Sequence, residues 1–130
     1  MQNGYGFGTE VALPFEAALA KVATELAKEG FGILTEIDVA ATLKKKLGAE
    51  MPPYRILGAC NPPLAHRALS AEPTIGLLLP CNVVVRQDVA GTVHVEFLDP
   101  RPLFELVGRP EIGPLATDVR SRLQRVMAAL

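Results

Sequence analysis

Two apolar runs of this chain contain the same dipeptide, Cys-Asn: Ile56-Leu57-Gly58-Ala59-Cys60-Asn61-Pro62-Pro63 and Leu77-Leu78-Leu79-Pro80-Cys81-Asn82-Val83-Val84-Val85. The first run indicates a strand that passes directly into a helix. Asn61 is suited to cap the free amides of that helix, and Pro62 suits its first position because proline has no amide hydrogen to lose. Cys60 then lies just before a helix start, where the positive end of the helix dipole favours a thiolate. This stretch therefore predicts a local fold and a candidate site together.

The segments on either side of this stretch predict one α+β domain over residues 1–130. Strands are expected at residues 4–13, 31–37, 54–59, 74–88 (interrupted at Pro80) and 93–97. Helices are expected between Pro14 and Gly30, at 39–47 behind an Asp38 cap, at 62–71, as one turn opened by 99–102 and running through 104–107, and at 115–130. Because 74–88 and 93–97 are joined by a short turn, they predict a hairpin. The sheet is therefore expected to be antiparallel or mixed, with helices covering one face.

The composition narrows the classes of function. The chain has 130 residues, 49% hydrophobic and 21% charged, which is typical of a globular domain. Its formal net charge of -1 and its few aromatic residues disfavour nucleic acid as a partner. The apolar runs are too short to span a membrane, and the first residues lack the pattern of a signal peptide. Since two cysteines without a disulfide framework fit a reducing compartment, we expect a cytoplasmic protein.

Three segments of the chain resemble the family called domain of unknown function 302: Gly30-Phe31-Gly32-Ile33-Leu34-Thr35-Glu36-Ile37-Asp38-Val39, Leu57-Gly58-Ala59-Cys60-Asn61-Pro62 and Leu77-Leu78-Leu79-Pro80-Cys81-Asn82-Val83. The resemblance covers essentially the whole chain. It implies a fold similar to the TATA-binding-protein class, in which a curved, mainly antiparallel sheet carries helices on one face, and it implies a homodimer. No biochemical activity follows from the resemblance, and the DNA-binding role of that fold class does not transfer, because folds host unrelated functions.

The two thiols suggest a first candidate site. If the ends of the third and fourth strands are neighbours, Cys60 and Cys81 approach each other, with Asn61 and Asn82 as polar partners. Such a pair can bind a soft metal ion or cycle through a disulfide, and His66 would add a nitrogen ligand. The simpler alternative is that both cysteines are small buried apolar residues. No other cofactor is required by the sequence.

A second hypothesis is a binding module with a pocket at the same edge of the sheet. Its candidate polar groups are Glu36, Asp38, Asn61, Asn82 and Asp99. Of these, Asp38, Asn61 and Asp99 also stand where helix caps are expected. The sequence predicts a small-molecule ligand for this pocket without indicating which one.

An enzyme and a structural or interaction domain remain as alternatives. Ser70 lacks the Gly-x-Ser-x-Gly context of a hydrolase nucleophile, and a histidine on a strand, His94, is more typical of a surface. These observations favour a binding module over an enzyme. The sheet face that lacks helices is expected to expose Leu98 and part of 77–85, and an apolar face of that size favours a homodimer.

Overall fold

The computed structural model describes all residues from Met1 to Leu130. Five strands are present: β1 (Gly6–Val11), β2 (Gly32–Asp38), β3 (Tyr54–Cys60), β4 (Cys81–Gln87) and β5 (Val93–Leu98). There are five α-helices, of which the first three each follow a strand and the last two follow β5: α1 (Phe15–Lys28), α2 (Val39–Leu47), α3 (Pro62–Ala71), α4 (Pro100–Glu105) and α5 (Ile112–Ala128). A 3₁₀ helix, Pro73–Leu78, lies between α3 and β4.

The strands form one open sheet in the order β1-β5-β4-β3-β2, and every neighbouring pair is antiparallel. One row of cross-strand partners runs from Phe7 through Phe97 and Val83 to Leu57. All four of these side chains are buried, and the Phe7 and Phe97 rings stack with centroids 5.7 Å apart. This apolar row marks the sheet face that the helices cover. The expected α+β architecture with an antiparallel sheet is confirmed.

Three helices begin where their cap residues predict. Asp38 Oδ1 accepts a hydrogen bond from the Ala41 amide at 2.9 Å, which caps α2. Asp99 Oδ1 accepts from the Arg101 amide at 3.0 Å and caps α4. Asn61 caps α3, and Pro62 follows as its first residue, as the sequence predicts. Each cap satisfies an amide that has no partner inside its own helix.

The prediction of one interrupted strand over 74–88 is wrong in its first half. Residues Pro73–Leu78 form the 3₁₀ helix, a cis peptide bond joins Leu79 to Pro80, and β4 begins only at Cys81. The Glu72 carboxylate starts the 3₁₀ turn, since its Oε1 accepts from the Thr74 amide at 3.3 Å and from the Thr74 hydroxyl at 2.9 Å. A short apolar run does not reveal by periodicity whether it is strand or helix. As a result Leu77 lies outside the sheet, and 88% of its surface is exposed.

The remaining differences lie at the ends of elements. The first strand is shorter than expected, and α5 begins at Ile112 instead of Leu115. Ile112 is completely buried, so the extra turn extends the apolar stripe of α5 along the core. No helix of the structure has the length and apolar character needed to cross a membrane.

Candidate functional site

An apolar cavity of about 360 Å³ opens where β3 ends and β4 begins. Its walls come from β2, β3, β4, α3, the 3₁₀ helix, α4 and α5. Of the 17 residues that line it, 13 are hydrophobic and none is charged, so the cavity offers no site for an ionic group. The lining residues are Phe31, Leu34, Thr35, Ala59, Cys60, Asn61, Leu64, Ala65, Ala68, Leu69, Gly76, Leu79, Pro80, Cys81, Phe104, Leu115 and Val119. We refer to this cavity as the β3–β4 pocket.

Both cysteines line the β3–β4 pocket as free thiols. Cys81 is the first residue of β4, pairs with Ala59 and is 5% exposed. Cys60 is the last residue of β3, lies opposite Gly32 and is half-buried. Burial raises the pKa of the Cys81 thiol to about 11, and the neighbouring Cys60 adds to that rise. The Cys81 thiol is therefore protonated at neutral pH.

Asn61 lies in the pocket wall, but both ends of its amide already have structural partners. Its Oδ1 accepts from the Leu64 amide at 3.4 Å, and its Nδ2 donates to the Glu29 carbonyl oxygen at 3.2 Å. Arg122 donates to the same carbonyl oxygen from Nη1 at 2.9 Å. Asn61 thus ties the start of α3 to the end of α1, and it orients the wall of the pocket instead of presenting a free amide to it.

None of the other four candidate polar residues lines the pocket. Asn82 is exposed on the sheet face that carries no helices. Glu36 and Asp38 meet Arg55, with Oε1 of Glu36 2.6 Å from Nη1 and Oδ2 of Asp38 3.2 Å from Nε. Arg55 and Cys60 are five residues apart on β3, a distance of about 17 Å at the usual rise of a strand. Glu36 and Asp38 therefore belong to an ion-pair cluster at the opposite end of β3.

The three residues suggested as metal ligands do not form a ligand set. Nowhere in the structure do three histidine, cysteine, aspartate or glutamate side chains come close enough together to hold a metal ion. His66 is exposed on α3 and does not line the pocket, although Cys60 and Cys81 do. The reason is helical geometry, since His66 lies on a different face of α3 from Leu64, Ala65 and Ala68.

Neither residue considered for hydrolytic chemistry lies in the pocket. The Ser70 hydroxyl donates to the His66 carbonyl oxygen at 2.8 Å, a bond within its own helix. His94 Nε2 lies 2.8 Å from Asp88 Oδ2 on the β4–β5 hairpin. The hydrogen bond with His94 lowers the pKa of Asp88, and the amides of Thr92 and Ala90 contribute. This pair links the hairpin turn to β5.

A buried carboxylate on the far side of the core is also structural. Asp99 Oδ2 accepts from Arg120 Nε at 3.1 Å, and the Arg120 guanidinium lies 5.4 Å from the centre of the Phe7 ring. This network joins α5 to the end of β5. Asp99 therefore caps α4 and anchors α5, and it is not a ligand-binding group of the pocket.

Most residues of the pocket wall were not singled out by the sequence. Leu64, Ala68 and Leu115 follow helical spacing and look like ordinary core residues until the cavity beside them is known. Leu34 enters the wall through a register shift in the β2–β3 pairing, between Ile33 and Thr35, that has no signature in the sequence. Only the repeated Cys-Asn dipeptide indicated the location of the pocket.

A family model and a solved structure are both similar to this chain. A family model described as "Domain of unknown function DUF302" matches residues 7–130. The crystal structure of an uncharacterized conserved protein DUF302 from Bacillus stearothermophilus is 28% identical in sequence and superposes with a TM-score of 0.89, covering 98% of each chain. Among curated proteins, none matches the chain.

Proposed function

The chain belongs to the DUF302 family, and we propose that it is a binding protein for a small, uncharged, mainly apolar molecule held in the β3–β4 pocket. The observation that carries this proposal is the cavity of about 360 Å³ with 13 hydrophobic residues among the 17 that line it. Its volume lies within the range of about 300–1,000 Å³ that is usual for small-molecule sites. The absence of charged side chains in the wall favours a neutral ligand.

The thiols supply the softest polar contacts of the proposed site. Cys60 is half-buried, and the Cys81 thiol keeps its proton at neutral pH because burial raises its pKa to about 11. A protonated thiol is a poor nucleophile and a poor metal ligand, so this pKa favours simple binding over a redox cycle or a soft metal ion.

Disulfide formation is the alternative use of the same thiols. Cys81 pairs with Ala59, so Cys60, the next residue along β3, is not its direct cross-strand partner. A disulfide needs Cα atoms within about 7 Å and Cβ atoms that face each other, so this offset register disfavours a bridge without movement of the backbone. Mass spectrometry of the protein after treatment with diamide tests this alternative, because an intramolecular disulfide between Cys60 and Cys81 would favour it.

A homodimer in the cytoplasm completes the proposal. Ile37, Ile56 and Val84 are successive cross-strand neighbours on the sheet face without helices, and Ile37 is 50% exposed. Leu98, half-buried at the end of β5, extends this apolar surface. Pairing two such faces would remove it from water, and twofold pairing is the commonest arrangement. Light scattering of the wild type and of Val84→Asp tests this part: we expect twice the mass of one chain, and a shift to one chain in the variant.

The binding proposal is tested with N-phenyl-1-naphthylamine, a neutral probe that fluoresces strongly in apolar surroundings. We expect saturable binding at one site per chain. Ala65→Phe fills the pocket from α3 and should weaken binding at least ten-fold, whereas Ala20→Phe on the exposed face of α1 should leave it unchanged. Equal binding by the two variants would show that the probe does not enter the pocket, and no binding by the wild type would refute the proposal.

A further inference from the structure

The edge strand β2 contains a bulge beside the pocket. Ile33 pairs with Ala59 and Thr35 pairs with Gly58, so two steps along β2 correspond to one step along β3. Leu34 is the extra residue. A bulge redirects the side chains around it and is frequent at sheet edges and next to functional sites. Here it adds Leu34 to the pocket wall, although 67% of its surface is exposed.

Leu69 contributes a second exposed apolar side chain to the same wall. It is 40% exposed and follows Ala65 by one helical turn on the same face of α3. Phe104, Leu115 and Val119, which line the cavity from α4 and α5, are all buried. The cavity therefore has a closed end against α4 and α5 and an open end at Leu34 and Leu69, which we call the leucine mouth.

The interior of the pocket provides no polar group that requires a ligand. Asn61 has partners for both ends of its amide. No buried side-chain nitrogen or oxygen in the structure lacks a hydrogen bond. The pocket therefore selects ligands only weakly by hydrogen bonding, and the size of the apolar part of a ligand is the property that it can distinguish. A cavity of 150 Å³ holds benzene, so by proportion 360 Å³ accommodates about fourteen non-hydrogen atoms.

We infer that the ligand is a neutral molecule with an extended apolar body of about fourteen non-hydrogen atoms, and that the leucine mouth determines its length by covering the end that leaves the pocket. This inference rests on the proposed function. The closed end of the pocket binds every apolar molecule that fits, whereas Leu34 and Leu69 add affinity only for molecules long enough to reach them.

The test uses straight-chain primary alcohols from hexanol to dodecanol, which displace N-phenyl-1-naphthylamine from the protein. Burial of each methylene should increase affinity about four-fold, up to the length that fills the pocket. Leu34→Ser should weaken dodecanol binding about ten-fold and leave hexanol binding within about two-fold. The control is Leu47→Ser, which makes the same change at an exposed leucine of α2 outside the pocket and should leave both affinities unchanged.

The outcomes separate the two proposals. Equal losses for hexanol and dodecanol in Leu34→Ser would overturn the inference, because they would place Leu34 along the whole length of the ligand. No loss in Leu34→Ser, with strong loss in Ala65→Phe, would also overturn it while leaving the binding proposal intact. If the wild type binds neither the probe nor any alcohol, both proposals fail.

Discussion

Asn61 should contribute far more to stability than Asn82, although both follow a cysteine in the same dipeptide. Asn61 is 7% exposed and makes two hydrogen bonds that connect α3 to the end of α1. Asn82 is exposed on the open face of the sheet. The change to alanine at each position therefore tests whether the repeat in sequence is a repeat in structural role.

The expected magnitude follows from the two bonds. Loss of an asparagine cap costs about 1 kcal/mol, and loss of the bond from Nδ2 to the Glu29 carbonyl costs about 1 kcal/mol more. The second term stays small because Arg122 still donates to that carbonyl at 2.9 Å. Asn61→Ala should thus lower the free energy of unfolding by about 2 kcal/mol and the melting temperature by about 8 °C. Asn82→Ala should cost less than about 0.5 kcal/mol.

Urea unfolding followed by far-ultraviolet circular dichroism measures these differences, with the m-value checked for constancy. Asn61→Ser separates the two bonds, since a serine hydroxyl caps the helix but does not reach Glu29, and it should recover about half of the loss. Equal costs for Asn61→Ala and Asn82→Ala would refute the reasoning. So would an Asn61→Ser variant as unstable as Asn61→Ala, because the cap would then contribute nothing.

Three further predictions concern single side chains. Burial raises the pKa of Cys81 from 9.0 to about 11, so the Cys81 thiol loses its proton at lower pH in the unfolded state than in the folded state. The free energy of unfolding should therefore fall by about 2 to 3 kcal/mol from pH 9 to pH 11. Cys81→Ala should remove this fall in urea titrations. A β-carbon on Gly58 would overlap Thr35 Oγ1 and lie 2.8 Å from Pro80 Cγ, so Gly58→Ala should cost about 2 kcal/mol by the same assay. Burial acts to raise the pKa of Asp99, but hydrogen bonds from a backbone amide and from Arg120 outweigh it and lower the pKa. The stabilisation by the Asp99 carboxylate is therefore lost as the pH falls below about 4. In Asp99→Asn the free energy of unfolding should fall less over this acidic range than in the wild type.

Each of these has a control in the same chain. An alkaline fall that persists in Cys81→Ala would assign it to other groups. Gly76→Ala is the partner of Gly58→Ala, because its nearest neighbour would be Leu69 Cδ2 at an ordinary 3.9 Å, and similar costs at both positions would contradict the steric argument. If Asp99→Asn loses as much stability at acidic pH as the wild type does, the ion pair with Arg120 does not control that loss.

Local signals in the sequence predict the parts of the fold that local chemistry determines. Asp38, Asn61 and Asp99 each precede a helix and cap it, because a short oxygen-bearing side chain satisfies the first free amides wherever the rest of the chain lies. Strand order depends on contacts between distant segments, so only the β4–β5 hairpin could be predicted as a pair. The segment 74–78 failed because an apolar run of that length fits a buried strand and a 3₁₀ turn equally well.

The candidate site, like the fold, could be predicted from the sequence only in part. The repeated dipeptide suggests that Cys60 and Cys81 approach each other if β3 and β4 are neighbours, and Cys60, Asn61 and Cys81 all line one pocket because β3 ends where β4 begins. It does not reveal that Asn82 belongs to the other face, since alternation along a strand reverses the direction of each successive side chain. The position of Leu34 in the pocket wall could not be predicted from the sequence, because the bulge that places it there has no characteristic residue.

The alanines in the pocket wall allow a decision between a functional cavity and imperfect packing. Ala65 is half-buried on α3, and leucine there would add three carbon atoms to the pocket. At about 0.8 kcal/mol per buried carbon, Ala65→Leu should raise the free energy of unfolding by about 2 kcal/mol. If the cavity is a binding site, the same variant should weaken binding of N-phenyl-1-naphthylamine, the trade of function against stability that is common at such sites. Ala20→Leu on the exposed face of α1 is the control and should change neither quantity by much. A destabilised Ala65→Leu variant would mean that the wall cannot accept the added carbons, and the volume assigned to a ligand would then not be available to one.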